Sequence, residues 1–179
     1  MTRRARWCTA LAALTLALPA PAAAATVRPS VVDRAHRLFM VSDSVGLGAV
    51  SAMRSSFAGW QVTVTGKPGL FTEMLVKYVN NAPSTAFGDN AIVATGYNYP
   101  YWDSPRFDGS VDQMVAALKA RGVQRIFWVT LREVSPKYYS HWAGLTSEYR
   151  SLYLAYPHAN DQLRAATVRH PELSVIDWA

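Results

Sequence analysis

Cysteine is almost missing from this chain: its 179 residues include one, Cys8, and that one lies within the first 25 residues. A disulfide framework and thiol chemistry are therefore excluded for everything that follows residue 25. Beyond that point no apolar run is long enough to cross a bilayer as a helix, so we expect no transmembrane anchor there. The sequence also lacks internal repeats and any basic stripe typical of nucleic-acid binding, so no nucleic-acid partner is expected.

The first 25 residues have the layout of a secretory signal peptide, a segment that is removed from the mature protein. Three arginines form a positive start, an apolar stretch follows over 9–18, and small residues over 20–25 supply a cleavage site. These arginines account for half of the formal net charge of +6, so the remainder is only weakly basic. We expect a secreted, extracytoplasmic protein with its signal peptide at 1–25 and one α/β domain at 26–179.

Five short apolar runs predict five β-strands, and helical patterns lie between them. The runs cover 37–41, 61–65, 90–95, 125–131 and 173–178, and the helical patterns cover 50–57, 71–79, 111–120 and 160–168. Several runs are apolar without alternation, as in strands that are buried on both faces. Strands that alternate with helices predict a three-layer, doubly wound (flavodoxin-like) fold, with a five-stranded parallel sheet and helices on both faces.

Polar and small residues follow three of the predicted strands. Asp43 and Ser44 follow the first, Gly-Lys-Pro-Gly at 66–69 follows the second, and Gly-Tyr-Asn at 96–98 follows the third. In doubly wound sheets the ligand crevice lies beyond the carboxyl ends of the strands. We expect the three turns to meet there and to supply a nucleophile, a backbone donor and a carboxamide donor, the parts of an acyl-transfer site. The alternative role for Asp43 or Ser44 is a helix N-cap.

Two of these segments are similar to sequence blocks of the SGNH, or GDSL-type, hydrolase superfamily of esterases, lipases and acyl-group hydrolases. Ser-Asp-Ser-Val-Gly-Leu-Gly at 42–48 resembles the Gly-Asp-Ser block, and Gly-Tyr-Asn at 96–98 resembles the Gly-x-Asn block. The resemblance implies that Ser44 is the nucleophile and that its own N–H is one oxyanion donor. It also implies that Gly69 and Asn98 are the other two donors of the oxyanion hole.

The sequence departs from the family pattern at two places, and one assignment has a competitor. Ser42 stands where the family has glycine, and Gly66 competes with Gly69 as the donor after the second strand. The family's Asp-x-x-His block, which supplies the base, has no match, because no histidine stands three residues after Asp177. We expect either a domain that is incomplete at its C-terminus or a family member that naturally lacks this pair. Because no helix follows the fifth run, an exposed apolar patch is expected beside it.

A serine hydroxyl is a poor nucleophile at neutral pH without a base within hydrogen-bond reach. His141 and His158 lie in or near the long fourth connection, which reaches the active edge, and they are the candidate substitutes. Two functions therefore stay open. One is a secreted serine ester hydrolase with impaired activity, and the other is a catalytically silent SGNH-like binding module.

The expected substrate is a small-molecule, lipid or carbohydrate ester, and the sequence does not select among these. Asp43, Tyr97 and Trp102 are the predicted substrate-binding residues. The aromatic side chains of 97–108 and 132–156 either line a substrate subsite or cover the edge of the sheet. No cofactor and no metal site is predicted, since no His, Cys and Asp cluster has ligand spacing. The oligomeric state is left open.

Overall fold

The structure is a computed structural model that describes residues 34–137 and 139–178. The predicted signal peptide at 1–25 and the aromatic residue Tyr138 lie outside the described residues, so the predictions made for them stay predictions. Within the described ranges, no helix combines the length and the apolar composition that a membrane span needs.

One sheet of five parallel strands forms the centre of the molecule, in the spatial order β2-β1-β3-β4-β5. The strands are β1 (Arg37–Ser42), β2 (Gln61–Gly66), β3 (Asn90–Ala94), β4 (Arg125–Val129) and β5 (Leu173–Ile176). Each coincides with one of the predicted apolar runs to within two residues at either end. The predicted parallel, doubly wound sheet is confirmed.

Five helices cover the sheet. They are α1 (Ser44–Leu47), α2 (Val50–Ser56), α3 (Thr72–Asn81), α4 (Ser104–Ala120) and α5 (Ser147–Arg169). Single 3₁₀ turns occur at Ser84–Ala86, Tyr101–Asp103 and Trp142–Gly144. One face of the sheet presents side chains such as Phe39 and Trp128 to α3, α4 and α5, and together these form the main hydrophobic core. The other face presents Met40 and Ile92 to Ala49 and Met53 beside α1 and α2.

The last helix is much longer than the predicted segment 160–168, because it begins at Ser147. Its start is capped by Thr146, whose hydroxyl accepts a hydrogen bond from the Tyr149 N–H at 3.3 Å. Pro157 lies inside the helix, where proline removes one backbone hydrogen bond and makes the sequence pattern look interrupted. Residues buried at helical spacing on both sides of the proline hold the two halves in one element, namely Ser151, Ala155, Tyr156, Ala159, Asn160, Leu163 and Ala166.

The helix α4 also begins before its predicted range of 111–120, at Ser104. Pro105 lies in its first turn, where the missing N–H of proline leaves no hydrogen bond unmade. Phe107 is fully buried and extends the apolar stripe of the helix by one turn beyond Val111. The earlier start is therefore explained by burial of this added turn.

The expected apolar patch beside β5 is present. Ile176 and Trp178 expose 42% and 53% of their surface. On the same face Leu38 and Phe127 line an apolar cavity of about 370 Å³ together with Ile176. This part of the sheet face is open to solvent within the described residues.

Gly66, at the end of β2, has a φ of +143°, and a Cβ built on it would lie 1.8 Å from the Ser42 carbonyl oxygen. We expect Gly66→Ala to lower the free energy of unfolding by about 2–4 kcal/mol, because it combines a strained backbone with a steric clash. The measurement is urea denaturation.

The matched control is Gly109→Ala, since Gly109 lies in α4 with no atom within 4 Å of the added methyl group. That change is expected to stabilise the protein by about 0.5–1 kcal/mol through helix propensity. Equal effects of the two substitutions would contradict the geometry described for Gly66.

Candidate active site

Ser44 is the first residue of α1, directly beyond the carboxyl end of β1, and it is exposed. The N-cap of this short helix is Asp43, whose Oδ1 accepts a hydrogen bond from the Val45 N–H at 3.1 Å. Among residues 34–137 and 139–178, no group forms a hydrogen bond with the Ser44 hydroxyl. The capping role is therefore filled by Asp43, and the hydroxyl of Ser44 is accessible to a ligand.

The order of the strands brings the three polar turns together. β1 lies between β2 and β3. At its carboxyl end, Ser42 is level with Gly66 on one side and with Ala94 on the other. The turns that follow these three strands therefore share one edge of the sheet, as the sequence predicts.

The carboxamide of Asn98 joins the turn after β3 to the turn after β2. Its Nδ2 donates a hydrogen bond to the Leu70 carbonyl oxygen at 2.8 Å. A carboxamide nitrogen carries two N–H bonds, so one of them stays available for a ligand. Gly69, which precedes Leu70, is exposed with a φ of +73°. Gly66, the competing donor, packs against Ser42 at the end of β1 and is only partly exposed. Gly69 is therefore the more accessible of the two glycines.

The carboxylate of Asp43 is fully buried, with an exposed fraction of 0%. Its Oδ2 accepts hydrogen bonds from the N–H groups of Gly96 and Tyr97 at 3.2 and 3.3 Å. Burial raises the pKa of this carboxyl, and the bonds from backbone N–H groups oppose that shift. The sequence predicts substrate contact for Asp43. A side chain without exposed surface makes no such contact, and the carboxylate instead binds the backbone of two turns.

The other two predicted substrate-binding residues differ in exposure. Tyr97 is half-buried: its hydroxyl accepts a hydrogen bond from the Arg132 N–H at 2.8 Å, and its ring lies 5.1 Å from that of Tyr156. Burial raises the pKa of Tyr97. Trp102 is 71% exposed. Tyr97 therefore covers the edge of the sheet, whereas Trp102 presents a free ring to solvent.

No histidine in the described part of the chain forms a hydrogen bond with Ser44. His36 and His170 precede β1 and β5, so they lie at the opposite end of the sheet. His141 and His158 lie on the long connection and on α5, and both are exposed. Each of these histidines has other contacts. The ring of His36 contacts Trp60, and His170 lies beside Asp112 and Glu172. His141 contacts Ser140 and Tyr139, and His158 contacts Tyr101. The same residue ranges contain no group of three or more His, Cys, Asp or Glu that fits a metal ion.

A buried polar network that the sequence analysis did not find centres on Tyr99. Its hydroxyl accepts a hydrogen bond from the Thr72 N–H at 2.8 Å and donates one to the Glu73 carboxylate. Arg106 pairs with Glu73, and its guanidinium lies 4.2 Å above the ring of Phe71. The network fixes the start of α3 against the residue that follows Asn98. In the sequence, the one feature that could have indicated this network is Glu73 in the first turn of a predicted helix.

A second missed residue is Asn160 on α5, which is 1% exposed. Its Oδ1 accepts a hydrogen bond from the Leu131 N–H at 2.7 Å, and its Nδ2 donates to the Leu131 carbonyl oxygen at 2.8 Å. The side chain thereby satisfies the backbone of the residue where the chain leaves β4. A polar residue on the buried stripe of α5 was its only signal in the sequence.

No family model matches the sequence, and no curated protein matches it. Solved structures do match. The C-terminal catalytic domain of Streptococcus pneumoniae peptidoglycan O-acetyltransferase A is 19% identical, with a TM-score of 0.55 over 79% of this chain and 69% of that chain. An acetyl xylan esterase is 12% identical, with a TM-score of 0.59 over 79% and 76%. A member of the lipolytic protein G-D-S-L family from Veillonella parvula is 20% identical, with a TM-score of 0.56 over 79% and 76%.

This chain has the fold of the SGNH hydrolases. The resemblance that the sequence indicates through 42–48 and 96–98 is confirmed at the level of the fold. Identities of 20% or less establish the arrangement of strands and helices, not the reaction. In this SGNH-type fold the two resembling segments lie at the carboxyl ends of the neighbouring strands β1 and β3.

Burial and the Glu73 carboxylate raise the pKa of Tyr99 to about 12. The folded state therefore holds this proton more tightly than the unfolded chain does, and the resulting stability is present below the ordinary pKa of tyrosine and is lost as the pH rises through 10 to 12. Between about pH 9 and about pH 12 the free energy of unfolding of the wild type is expected to fall as this contribution is lost. In Tyr99→Phe, which has no phenol to titrate, we expect the fall to be smaller by about 2–3 kcal/mol.

The comparison requires chemical denaturation of both proteins at each pH. Tyr101→Phe serves as the control, because the ring of Tyr101 is mostly exposed. Two results would show that the buried phenol is not responsible. One is a free energy of unfolding that depends on pH in Tyr99→Phe as it does in the wild type. The other is an equally reduced pH dependence in Tyr101→Phe.

Proposed function

We propose that this chain is a serine ester hydrolase of the SGNH type and that Ser44 is its nucleophile. The observation that carries the proposal is the accessible Ser44 hydroxyl at the carboxyl end of β1, on the edge shared with the Asn98 turn. The fold shared with an acetyl xylan esterase and a lipolytic G-D-S-L protein supports it.

In the proposed reaction, Ser44 Oγ bonds to the acyl carbon of the ester, and the carbonyl oxygen becomes an oxyanion. The N–H groups of Ser44 and Gly69 and the free N–H of the Asn98 carboxamide donate to that oxyanion. Collapse of the tetrahedral intermediate releases the alcohol and leaves an acyl group on Ser44. Water then attacks the acyl carbon, releases the acid and restores the hydroxyl.

Each attack requires that a proton leave the attacking oxygen, and the departing oxygen, first that of the alcohol and then that of Ser44, takes one proton up. We propose that hydrolysis by this chain is impaired, because none of its described groups accepts the Ser44 proton through a hydrogen bond. Oxyanion stabilisation and binding alone leave a residual rate that is several orders of magnitude below that of a complete triad.

The proposed substrate is a small-molecule, lipid or carbohydrate ester, and the protein is proposed to act outside the cytoplasm after removal of residues 1–25. Two of the matched proteins are an acetyl xylan esterase and a peptidoglycan O-acetyltransferase, which makes acetyl esters of carbohydrates the first to test. The exposed ring of Trp102 supports a flat sugar ligand, since aromatic rings pack against apolar faces and leave polar groups in water.

A second candidate is a catalytically silent binding module of the same fold. It is favoured by one observation, the absence of a base bonded to Ser44 among residues 34–137 and 139–178. In that case the crevice binds an acylated ligand and releases it unchanged.

We expect the protein to hydrolyse p-nitrophenyl acetate slowly and Ser44→Ala to lower the rate by at least about tenfold, because the attacking oxygen is removed. Ser55→Ala is the matched control. Ser55 is an exposed serine on α2, and its hydroxyl donates to the Ser51 carbonyl oxygen at 3.1 Å. Release of p-nitrophenol is followed by absorbance.

Equal rates for wild type and Ser44→Ala would exclude the hydrolase and favour the binding module. A fluorophosphonate probe is expected to label Ser44 weakly, because the hydroxyl is not activated. Rapid stoichiometric labelling would contradict the proposed impairment, and the loss of that labelling in His141→Ala or His158→Ala would identify the base.

A further inference from the structure

We infer that Asp43 is a positioning residue that sets the distance between the nucleophile Ser44 and the oxyanion donor Asn98. The inference rests on the proposed function and adds to it the role of a side chain that contacts no substrate. It concerns the buried carboxylate between two turns of the backbone, which the proposed reaction does not use.

The two oxygens of this carboxylate bind two different turns. Oδ1 accepts from the Val45 N–H at 3.1 Å, in the turn that carries the nucleophile. Oδ2 accepts from the N–H groups of Gly96 and Tyr97 at 3.2 and 3.3 Å, in the turn that carries Asn98. The backbone N–H of Asp43 also donates to the Ala94 carbonyl oxygen at 3.2 Å. One rigid planar group therefore fixes the nucleophile turn relative to the donor turn.

The turn that carries Asn98 has little freedom to move independently. Gly96 has a φ of +134°, and a Cβ built there would lie 2.9 Å from the ring of Phe107. On its far side, Asn98 is held by the Leu70 carbonyl oxygen at 2.8 Å. Because Asn98 is two residues from Gly96, a displacement of the carboxylate displaces the donor as well. Oxyanion donors act only within a narrow range of distances from the developing charge.

The carboxylate serves the local fold as the N-cap of α1, and its second oxygen binds the separate turn that carries Asn98. The side chain has no exposed surface, and no Lys, Arg or His of the described ranges forms an ion pair with it. An unpaired buried charge is costly, and here backbone N–H groups compensate for it only in part. Burial raises the pKa of Asp43, so above that pKa the ionised group stabilises the fold less than the protonated group does.

The test is a double-mutant cycle between Asp43→Asn and Asn98→Ala, with kcat and KM measured on p-nitrophenyl acetate. The asparagine keeps the shape of the side chain but has one acceptor oxygen instead of two, so its NH₂ group faces either the Val45 N–H or the N–H groups of Gly96 and Tyr97. We expect Asp43→Asn alone to lower kcat by about 10–100-fold and to change KM by less than about threefold, because the loss is confined to the transition state. In the Asn98→Ala background the same change should lower kcat by less than about threefold, since the donor it positions is already gone.

Asp89→Asn is the matched control. Asp89 immediately precedes β3, at the end opposite to the active edge, and it pairs with Arg34 at 3.2 Å. The substitution removes a carboxylate next to β3 but changes no contact of the turns that carry Ser44 and Asn98. We expect it to leave kcat within about twofold of the wild type, whatever its effect on stability.

Amide hydrogen exchange provides a readout that does not depend on activity. In Asp43→Asn either the Val45 N–H or the N–H groups of Gly96 and Tyr97 should exchange at least about tenfold faster than in Asp89→Asn, because one of the two acceptor oxygens is lost. Unchanged exchange at all three amides, or an equal loss of kcat with and without Asn98, would overturn the inference. If the wild type shows no turnover that depends on Ser44, the proposed function fails and the exchange measurement alone decides whether Asp43 holds the two turns.

Discussion

The hydrogen bonds of one buried carboxylate hold the candidate site together. Asp43 directly follows β1, and it binds the backbone of the turns after β1 and β3. The arrangement requires that β1 lie between β2 and β3, because only then are the three turns direct neighbours at the carboxyl edge. The cap of α1, the accessible serine and the donor turn are consequences of the same contact.

Two kinds of polar contact occur in the molecule. Surface ion pairs join α4 to α5 and to the loop before β5, as in Arg169 with Asp108 and Asp112, and Lys119 with Glu172. Exposed pairs of this kind contribute about 0–1 kcal/mol each. At the carboxyl edge of the sheet, three buried polar side chains bind backbone N–H groups, namely Asp43, Tyr99 and Asn160. Stability therefore comes mainly from the core, and the polar groups at the active edge determine geometry.

Much of the fold was predictable, and the failures have physical reasons. All five strands were found, because residues buried on both faces leave continuous apolar runs such as that of β4. The predicted starts of α4 and α5 are too late for two reasons. Pro105 resembles a break but lies in the first turn of α4, where proline is tolerated. Pro157 lies inside α5, and buried residues on both sides of it hold that helix together. Within the site, the positions of Ser44 and Asn98 followed from their places after β1 and β3. The contacts of Asp43 could not be predicted, because the sequence around an aspartate is the same whether its side chain faces solvent or binds the backbone.

The sequence by itself determined the class of the fold, the order of its elements and the three turns with chemistry to offer, because periodicity and turn composition are local properties. The tertiary structure alone decided which side chains meet. It buried Asp43 between two turns, placed Asn98 against Leu70 and left the four histidines away from Ser44. These contacts join residues 28 to 54 positions apart, and no local pattern encodes such pairs because strand order in space fixes them.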